Sequence, residues 1–265
     1  MERNSWNKFC KARERFRCVV QELECSLPKL KNIQQKFVDN RGGDKNSSYT
    51  IETPVVYNTA LDDITIDSEI KLILVADNPG RREQAAENRR YLVGPSGKIA
   101  QKFFRENPAL GIDFLKNVII LNKTPIHSPR TTELRELCKL EAQTASSGAA
   151  GSGAIAAALE ESQKDMAALL LEFHLALNAQ VWIVGYSEMK KGGIFESYTE
   201  ELKKLYSDKP ELYKQLFFFR HFSMNQFTID LKKQTLPGET LTKSLKRIGS
   251  AYRQRVLGIS KKIIG

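Results

Sequence analysis

Four short apolar runs recur along the chain at wide spacing, at residues 70–76, 117–121, 180–184 and 216–219. Rich in Ile, Val, Leu and Phe, they suit strands buried on both faces. The stretches between them leave room for helical crossovers, so the pattern predicts a parallel sheet with helices packed on it. Residues 97–106 form one crossover candidate. Residues 159–178, with Leu169, Leu170, Phe173 and Leu177, form another. Residues 5–38 also read as helical, with Trp6, Phe9, Phe16, Val20 and Leu23 set among basic residues, and Pro28 divides that pattern in two.

Two segments carry no such pattern. Residues 39–48, with Gly42-Gly43 and Asn46-Ser47-Ser48, read as a loop. Residues 142–158 are nearly all Ala, Gly, Ser and Thr, which predicts a mobile insertion with little to bury, its last alanines extending the next helix.

With 265 residues, 41% hydrophobic and 27% charged, the chain can bury a sizeable core, and disorder is excluded as its main state. No apolar run approaches the roughly 20 residues that span a bilayer. Met1-Glu2-Arg3-Asn4 has no apolar stretch behind a basic one, so no secretory signal is expected and the location expected is intracellular. Cys10, Cys18, Cys25 and Cys138 form no Cys-x-x-Cys pair, which gives a zinc or iron–sulfur site little support. The first three are expected near one helix face, as small buried apolar groups.

The net charge of +10 is unevenly spread. Residues 1–45 hold 11 Lys/Arg against 6 Asp/Glu, residues 46–230 hold 21 against 24, and residues 231–265 hold 9 against 1. A slightly acidic body with basic ends suits a partner with regularly spaced negative charge. Nucleic acid is the first candidate, since each Lys or Arg on a phosphate releases condensed counterions.

In an open parallel sheet, ligands bind beyond the carboxyl ends of the strands. Asp77-Asn78-Pro79-Gly80-Arg81-Arg82-Glu83 follows the first run, and Asn122-Lys123-Thr124-Pro125 the second, with His127 and Arg130 beyond. Gly185-Tyr186-Ser187 follows the third and Arg220-His221-Phe222-Ser223-Met224-Asn225 the fourth. Amides, an imidazole and carboxylates are thus expected on one rim.

On these residues the chain resembles the uracil-DNA glycosylase superfamily over roughly residues 70–230. Ala76-Asp77-Asn78-Pro79-Gly80 resembles the first motif, usually Gly-x-Asn-Pro-Gly in the mismatch-specific and single-strand-selective branches. Tyr91-Leu92-Val93-Gly94-Pro95-Ser96-Gly97 resembles Pro-Phe-Val-Gly-x-x-Gly. Asn122-Lys123-Thr124-Pro125, with Arg130 and Glu133, resembles the strand-end asparagine segment, and His221-Phe222-Ser223-Met224 resembles His-Pro-Ser-Pro. Ala76, Leu92, Phe222 and Met224 depart from those patterns. The resemblance implies a three-layer α/β/α sandwich around a four-stranded parallel sheet, in agreement with the periodicity, with N-terminal helices added. The domains expected are a helical extension at residues 1–48 and a glycosylase-like α/β domain at 49–265, the latter with the insertion at 142–158 and a basic C-terminal tail.

The resemblance further implies a monofunctional DNA glycosylase that excises uracil or another deaminated base flipped out of DNA, in base excision repair. Asn78 matches the residue that orients the attacking water, and His221 the residue that hydrogen-bonds the base carbonyl. Asn122 matches the amide that pairs with the base. Asp77 and Glu83 are the nearby carboxylates with general-base potential. Leu92, Tyr91, Pro79 and Gly80 are expected around the base. Ser96, Ser223, Met224, Asn225, Lys232, Lys233, Lys243, Lys246 and Arg247 are expected against DNA, with Met224 and Phe227 as wedges into the stack. No metal or other cofactor, no membrane and a monomer are expected, in the cytoplasm and at the nucleoid when on DNA. The rival expectation is a weak or inactive glycosylase-like protein that grips nucleic acid without cleaving it. A small-molecule hydrolase using Asp77 and Glu83 is a third, and it leaves the basic ends unexplained.

Overall fold

The computed structural model describes residues 1–40, 48–145 and 153–258. Its strands fall on the four apolar runs: β1 (Leu72–Ala76), β2 (Val118–Asn122), β3 (Gln180–Val184) and β4 (Leu216–Phe219). All pair in parallel, in the order β2-β1-β3-β4. β1 and β4 are buried at every position, as strands covered on both faces must be. Helices α1 (Arg3–Ser26) and α2 (Leu30–Asp39) precede the sheet, and α3 (Pro95–Glu106) joins β1 to β2. The β2–β3 connection holds α4 (Glu133–Ala145) and α5 (Ala154–Leu177), and the β3–β4 connection holds α6 (Glu196–Tyr206) and α7 (Pro210–Lys214). Helices α8 (Gln226–Gln234) and α9 (Leu241–Leu257) follow.

One face of the sheet is an aromatic layer. Trp182 of β3 stacks on Phe104 of α3 with ring centroids 5.5 Å apart and on Phe227 of α8 at 5.9 Å. On the same face α9 comes so close to β4 that a methyl at Gly249 would lie 2.7 Å from Phe217 Cβ. Helix α5 covers the other face and packs in turn against α1 and α6. The architecture is therefore the expected three-layer α/β/α sandwich with N-terminal helices.

The N-terminal helices share the core of the α/β body. Phe9 and Phe16 of α1 are fully buried, Phe9 edge-on to Phe173 of α5 and Phe16 against Tyr57. The expected basic tail is corrected over residues 241–257, which form α9. Leu245, Ile248 and Tyr252 recur at helical spacing and are buried, and the lysines and arginines occupy the remaining faces. The cysteines are corrected too, because Cys18 and Cys25 are exposed and Cys10 is partly buried. Eight residues advance a helix about 80° past two full turns, which turns Cys18 away from Cys10. Residues 41–47 of the expected loop and 146–152 of the expected insertion lie outside the described residues, while Ala154 to Ala158 extend α5 as expected. Among the described residues no helix is long and apolar enough to cross a membrane.

Candidate functional site

The β1–β2 crossover passes over one face through α3, and the β2–β3 crossover over the other through α5. Connections that leave to opposite faces open a crevice at the carboxyl ends of the strands, here between β1 and β3. Asp77 and Gly185 meet there. Gly185 has φ +80°, and a methyl on it would lie 2.4 Å from Asp77 Oδ1, so glycine is required on both counts.

Asp77 is the counter-ion of a buried lysine. Lys123, directly after β2, has no exposed surface. Its Nζ donates to Asp77 Oδ1 at 2.5 Å, to the Val184 carbonyl at 2.6 Å and to the Ala76 carbonyl at 3.4 Å, and it lies 4.9 Å from the Phe195 ring centroid. Thr131 Oγ1 donates to the other carboxylate oxygen at 3.1 Å. With both oxygens engaged, Asp77 is corrected from general base to structural anion. Burial pulls the Lys123 pKa down while Asp77 pulls it up, with a net lowering.

Asn78 turns its Nδ2 inward, donating to Ser128 Oγ at 2.9 Å and to the Ser128 and Pro79 carbonyls at 3.1 and 3.2 Å. Its remaining polar atom, Oδ1, is an acceptor fit to orient a water. Pro79 is buried, and its carbonyl also takes hydrogen bonds from His127 Nδ1 at 2.8 Å and the Ser128 amide at 3.2 Å. His127, fully buried and bonded to Tyr49 as well, braces this turn.

Asn122 differs from every other polar side chain on the rim. It is 1% exposed, and its Nδ2 and Oδ1 are both buried without a hydrogen-bond partner. A buried unpaired polar group costs about 1–3 kcal/mol. Among the described residues Gln34, Tyr198 and Arg253 each have one such atom, whereas Asn122 has two and stands at a strand end, paired with Ala76.

His221 follows β4 and is partly buried. Its Nδ1 accepts the Ser223 backbone N–H at 3.0 Å and lies 2.9 Å from Ser223 Oγ. A ring nitrogen that accepts an amide N–H carries no proton, so the proton of the neutral ring is on Nε2. Burial lowers the His221 pKa; Asp77 acts to raise it and Lys123 to lower it. The chain then takes left-handed conformations at Met224 (φ +50°) and Asn225 (φ +57°), and Met224 is 79% exposed. Proline cannot adopt that φ, which explains why Met224 stands where the resemblance would place one. Phe222 is buried and stacks on Phe227 at 4.4 Å, anchoring the loop. Phe227 is thereby corrected from wedge to core.

The loop before α3 is tied to the first turn by Glu83, whose buried carboxylate accepts the Gly80 N–H at 3.0 Å and a bond from the Leu92 backbone. Glu83 is corrected from general base to loop tie, and it takes up the Gly80 amide. Burial pushes the Glu83 pKa up to about 7 despite these two bonds. A raised carboxylate pKa favours the folded state below the ordinary value near 4.5, and that favour disappears as pH rises through about 7. Glu83→Gln is expected to remove a pH-dependent loss of at most about 3 kcal/mol over this window, read as a flatter urea midpoint between pH 5 and pH 8.

Leu92 is buried and left-handed (φ +54°), and its carbonyl sits on α3 where a methyl at Gly97 would lie 1.4 Å away. Gly97→Ala is expected to destabilise by about 1–3 kcal/mol, measured by denaturant unfolding, because a backbone oxygen cannot yield as a flexible side chain can. Tyr91 is corrected as a base contact. It is buried in the core near Phe16, its hydroxyl donating to the Val56 carbonyl at 2.6 Å, so it faces away from the rim.

The DNA-facing set divides. Ser96 is partly exposed in the first turn of α3, Ser223 and Asn225 lie in the His221 loop, and Lys232 and Lys233 are exposed on α8. Lys243 is exposed on α9. Lys246 is exposed on α9 as well, where it lines a groove of about 490 Å³ with Gln180, Gln215 and Phe219. Arg247 is corrected, because it forms a two-pronged ion pair with Glu239 at 2.9 and 2.7 Å.

The structure thus brings Asp77, Asn78, Asn122 and His221 to one rim and adds Lys123, Ser128 and Thr131, which the sequence reading gave no role. Lys123 had a signal, a cation directly behind an apolar strand. Among the described residues no group of three or more His, Cys, Asp or Glu side chains is placed to hold a metal ion. The chain matches no protein-family model, and no curated protein and no solved structure shows significant similarity to it.

Proposed function

We propose that the chain is a monofunctional DNA glycosylase that hydrolyses the N-glycosidic bond of uracil or another deaminated base flipped out of DNA. The observation that carries this reading is the Asn122 amide, buried with a donor and an acceptor both unpaired at the carboxyl end of β2. Uracil offers an acceptor and a donor side by side, and its edge would satisfy both atoms. Cytosine offers the reverse order, which a fixed amide rejects by leaving groups unpaired.

The remaining rim residues fit the same chemistry. As the bond from C1′ to the base breaks, its electron pair goes to the base, and the Nε2–H of a neutral His221 donates to the carbonyl where that charge collects. Such a bond strengthens as the charge develops and favours the transition state. Asn78 Oδ1 orients the water whose oxygen adds to C1′. With Asp77 held by Lys123, the water is positioned rather than deprotonated early, and its proton leaves to solvent after attack. Met224 protrudes next to His221, where an apolar side chain can enter the stack vacated by the base. Ser96, Ser223, Lys232, Lys233 and Lys243 supply polar and cationic contacts for the strand.

The test is strand cleavage by alkali after incubation with labelled DNA containing uracil, hypoxanthine or xanthine. The expected result is abasic sites with the wild-type protein and a loss of about 10²-fold or more in Asn78→Ala and His221→Ala, the scale seen when one positioned polar group is removed. Retention of DNA with no abasic sites would instead support a binding protein that does not cleave. One observation favours that second reading: Leu92 has no ring and Tyr91 is turned into the core, so neither supplies a ring to stack on a flipped base.

A further inference from the structure

Lys123 is a fully buried cation at a strand end, and the chemistry described above uses it only to hold Asp77. Its ammonium joins three strands: the lysine follows β2, and its acceptors are Ala76 and Asp77 at the end of β1 and Val184 at the end of β3. The fourth strand is reached by charge. Asp77 lies against Gly185, whose N–H donates to the Phe219 carbonyl at 3.0 Å, two residues before His221; Asp77 and Lys123 act on the His221 ring with opposite signs, and Ser223 is its hydrogen-bond partner. A buried ion pair is seldom the most stabilising choice, since well-packed apolar residues of the same volume often do as well or better. This pair also stands in the crevice where open sheets bind ligands.

We propose that Lys123 is a positioning residue of the rim, whose ammonium offsets the Asp77 carboxylate so that His221 stays in the neutral form that accepts the Ser223 amide and presents Nε2–H. Without the cation, the unbalanced carboxylate would favour imidazolium. An imidazolium carries a proton on Nδ1 and cannot accept the Ser223 N–H, so the turn that leads into Met224 would lose its tie. The lysine therefore acts through two neighbours, on the donor and on the loop that presents the protruding methionine. This rests on the role proposed for His221 in base excision, but its consequences for the ring and the loop exist without any substrate.

The experiment is an NMR titration of His221 in the full chain, as wild type, Lys123→Met and Lys123→Arg, with amide exchange at Ser223 measured alongside. In Lys123→Met, His221 is expected to bind its proton about tenfold more tightly, the size of effect one nearby charge exerts. Ser223 is expected to exchange at least several-fold faster, and Lys123→Arg to restore both. If Lys123→Met does not fold, the double variant Asp77→Leu/Lys123→Met leaves neither charge stranded. With no carboxylate left to favour imidazolium, its Ser223 amide is expected to exchange at the wild-type rate while global stability is retained, whereas faster exchange would mean that the lysine acts by packing and not by charge. An unchanged His221 midpoint with unchanged Ser223 exchange in Lys123→Met would overturn the proposal. So would faster Ser223 exchange in the double variant, or a wild-type His221 found with its proton on Nδ1. None of these readouts requires DNA cleavage, so an inactive protein with the expected His221 behaviour would refute the glycosylase reading alone.

Discussion

Asn122→Leu is expected to make the folded protein more stable while abolishing base excision. Leucine has nearly the shape of asparagine but no polar atoms. The substitution removes two buried groups that have no partner in the protein. Relief of each such group is worth about 1–3 kcal/mol, and denaturant unfolding at neutral pH would show it as a higher midpoint with an unchanged slope. Excision of uracil is expected to fall by about 10²-fold or more, because the pairing edge is lost. The opposite signs matter. A structural asparagine closing a turn would lose stability on replacement, whereas one kept for a ligand gains it. A destabilised Asn122→Leu protein would remove the main support for base recognition at this position.

Asp77→Asn is expected to destabilise by about 3–5 kcal/mol, the usual cost of leaving one member of a buried pair uncompensated. Lys123 has no exposed surface, and its Nζ would keep only the two backbone carbonyls as full acceptors. The loss should depend on pH with a definite sign. Burial already lowers the Lys123 pKa from 10.5, and removing the carboxylate lowers it further. A lysine with a lowered folded-state pKa binds its proton less well folded than unfolded. Stability of Asp77→Asn should therefore recover as pH rises through that lowered value toward 10.5. Urea unfolding at pH 6, 7.5 and 9 checks this, and a deficit that does not shrink at pH 9 would mean that the ammonium is not the stranded group. A domain of ordinary stability, about 5–15 kcal/mol, can absorb the cost and remain measurable.

The architecture was legible because hydrophobic burial dictates it locally. A strand covered on both faces has to be apolar throughout, so 70–76, 117–121, 180–184 and 216–219 announced β1 to β4 within two residues at each end. Pro28 marked the break between α1 and α2 for an equally local reason, its fixed φ and missing N–H. The last 35 residues were harder. Their charge density read as a tail, and the buried faces of α8 and α9 became visible only against the aromatic layer on β3 and β4.

The site divides in the same way. That Asn78, Asn122 and His221 lie on one rim followed from position alone, since residues immediately after parallel strands share one edge of a sheet. What each side chain does there depended on partners distant along the chain. Asp77 and Glu83 both read as free carboxylates. One is paired with a lysine 46 residues away, the other with amides of two loops. Tyr91 and Leu92 are adjacent, yet the left-handed backbone at Leu92 leaves the tyrosine bonded into the core. Periodicity and strand composition, which one segment carries by itself, determined the layers, the parallel sheet and the edge where chemistry belongs. Protonation, pairing and orientation are set by whatever packs alongside, so only the folded molecule decided that Lys123 neutralises Asp77, that His221 offers Nε2–H, and that Asn122 is left with two polar atoms and nothing of its own to bind.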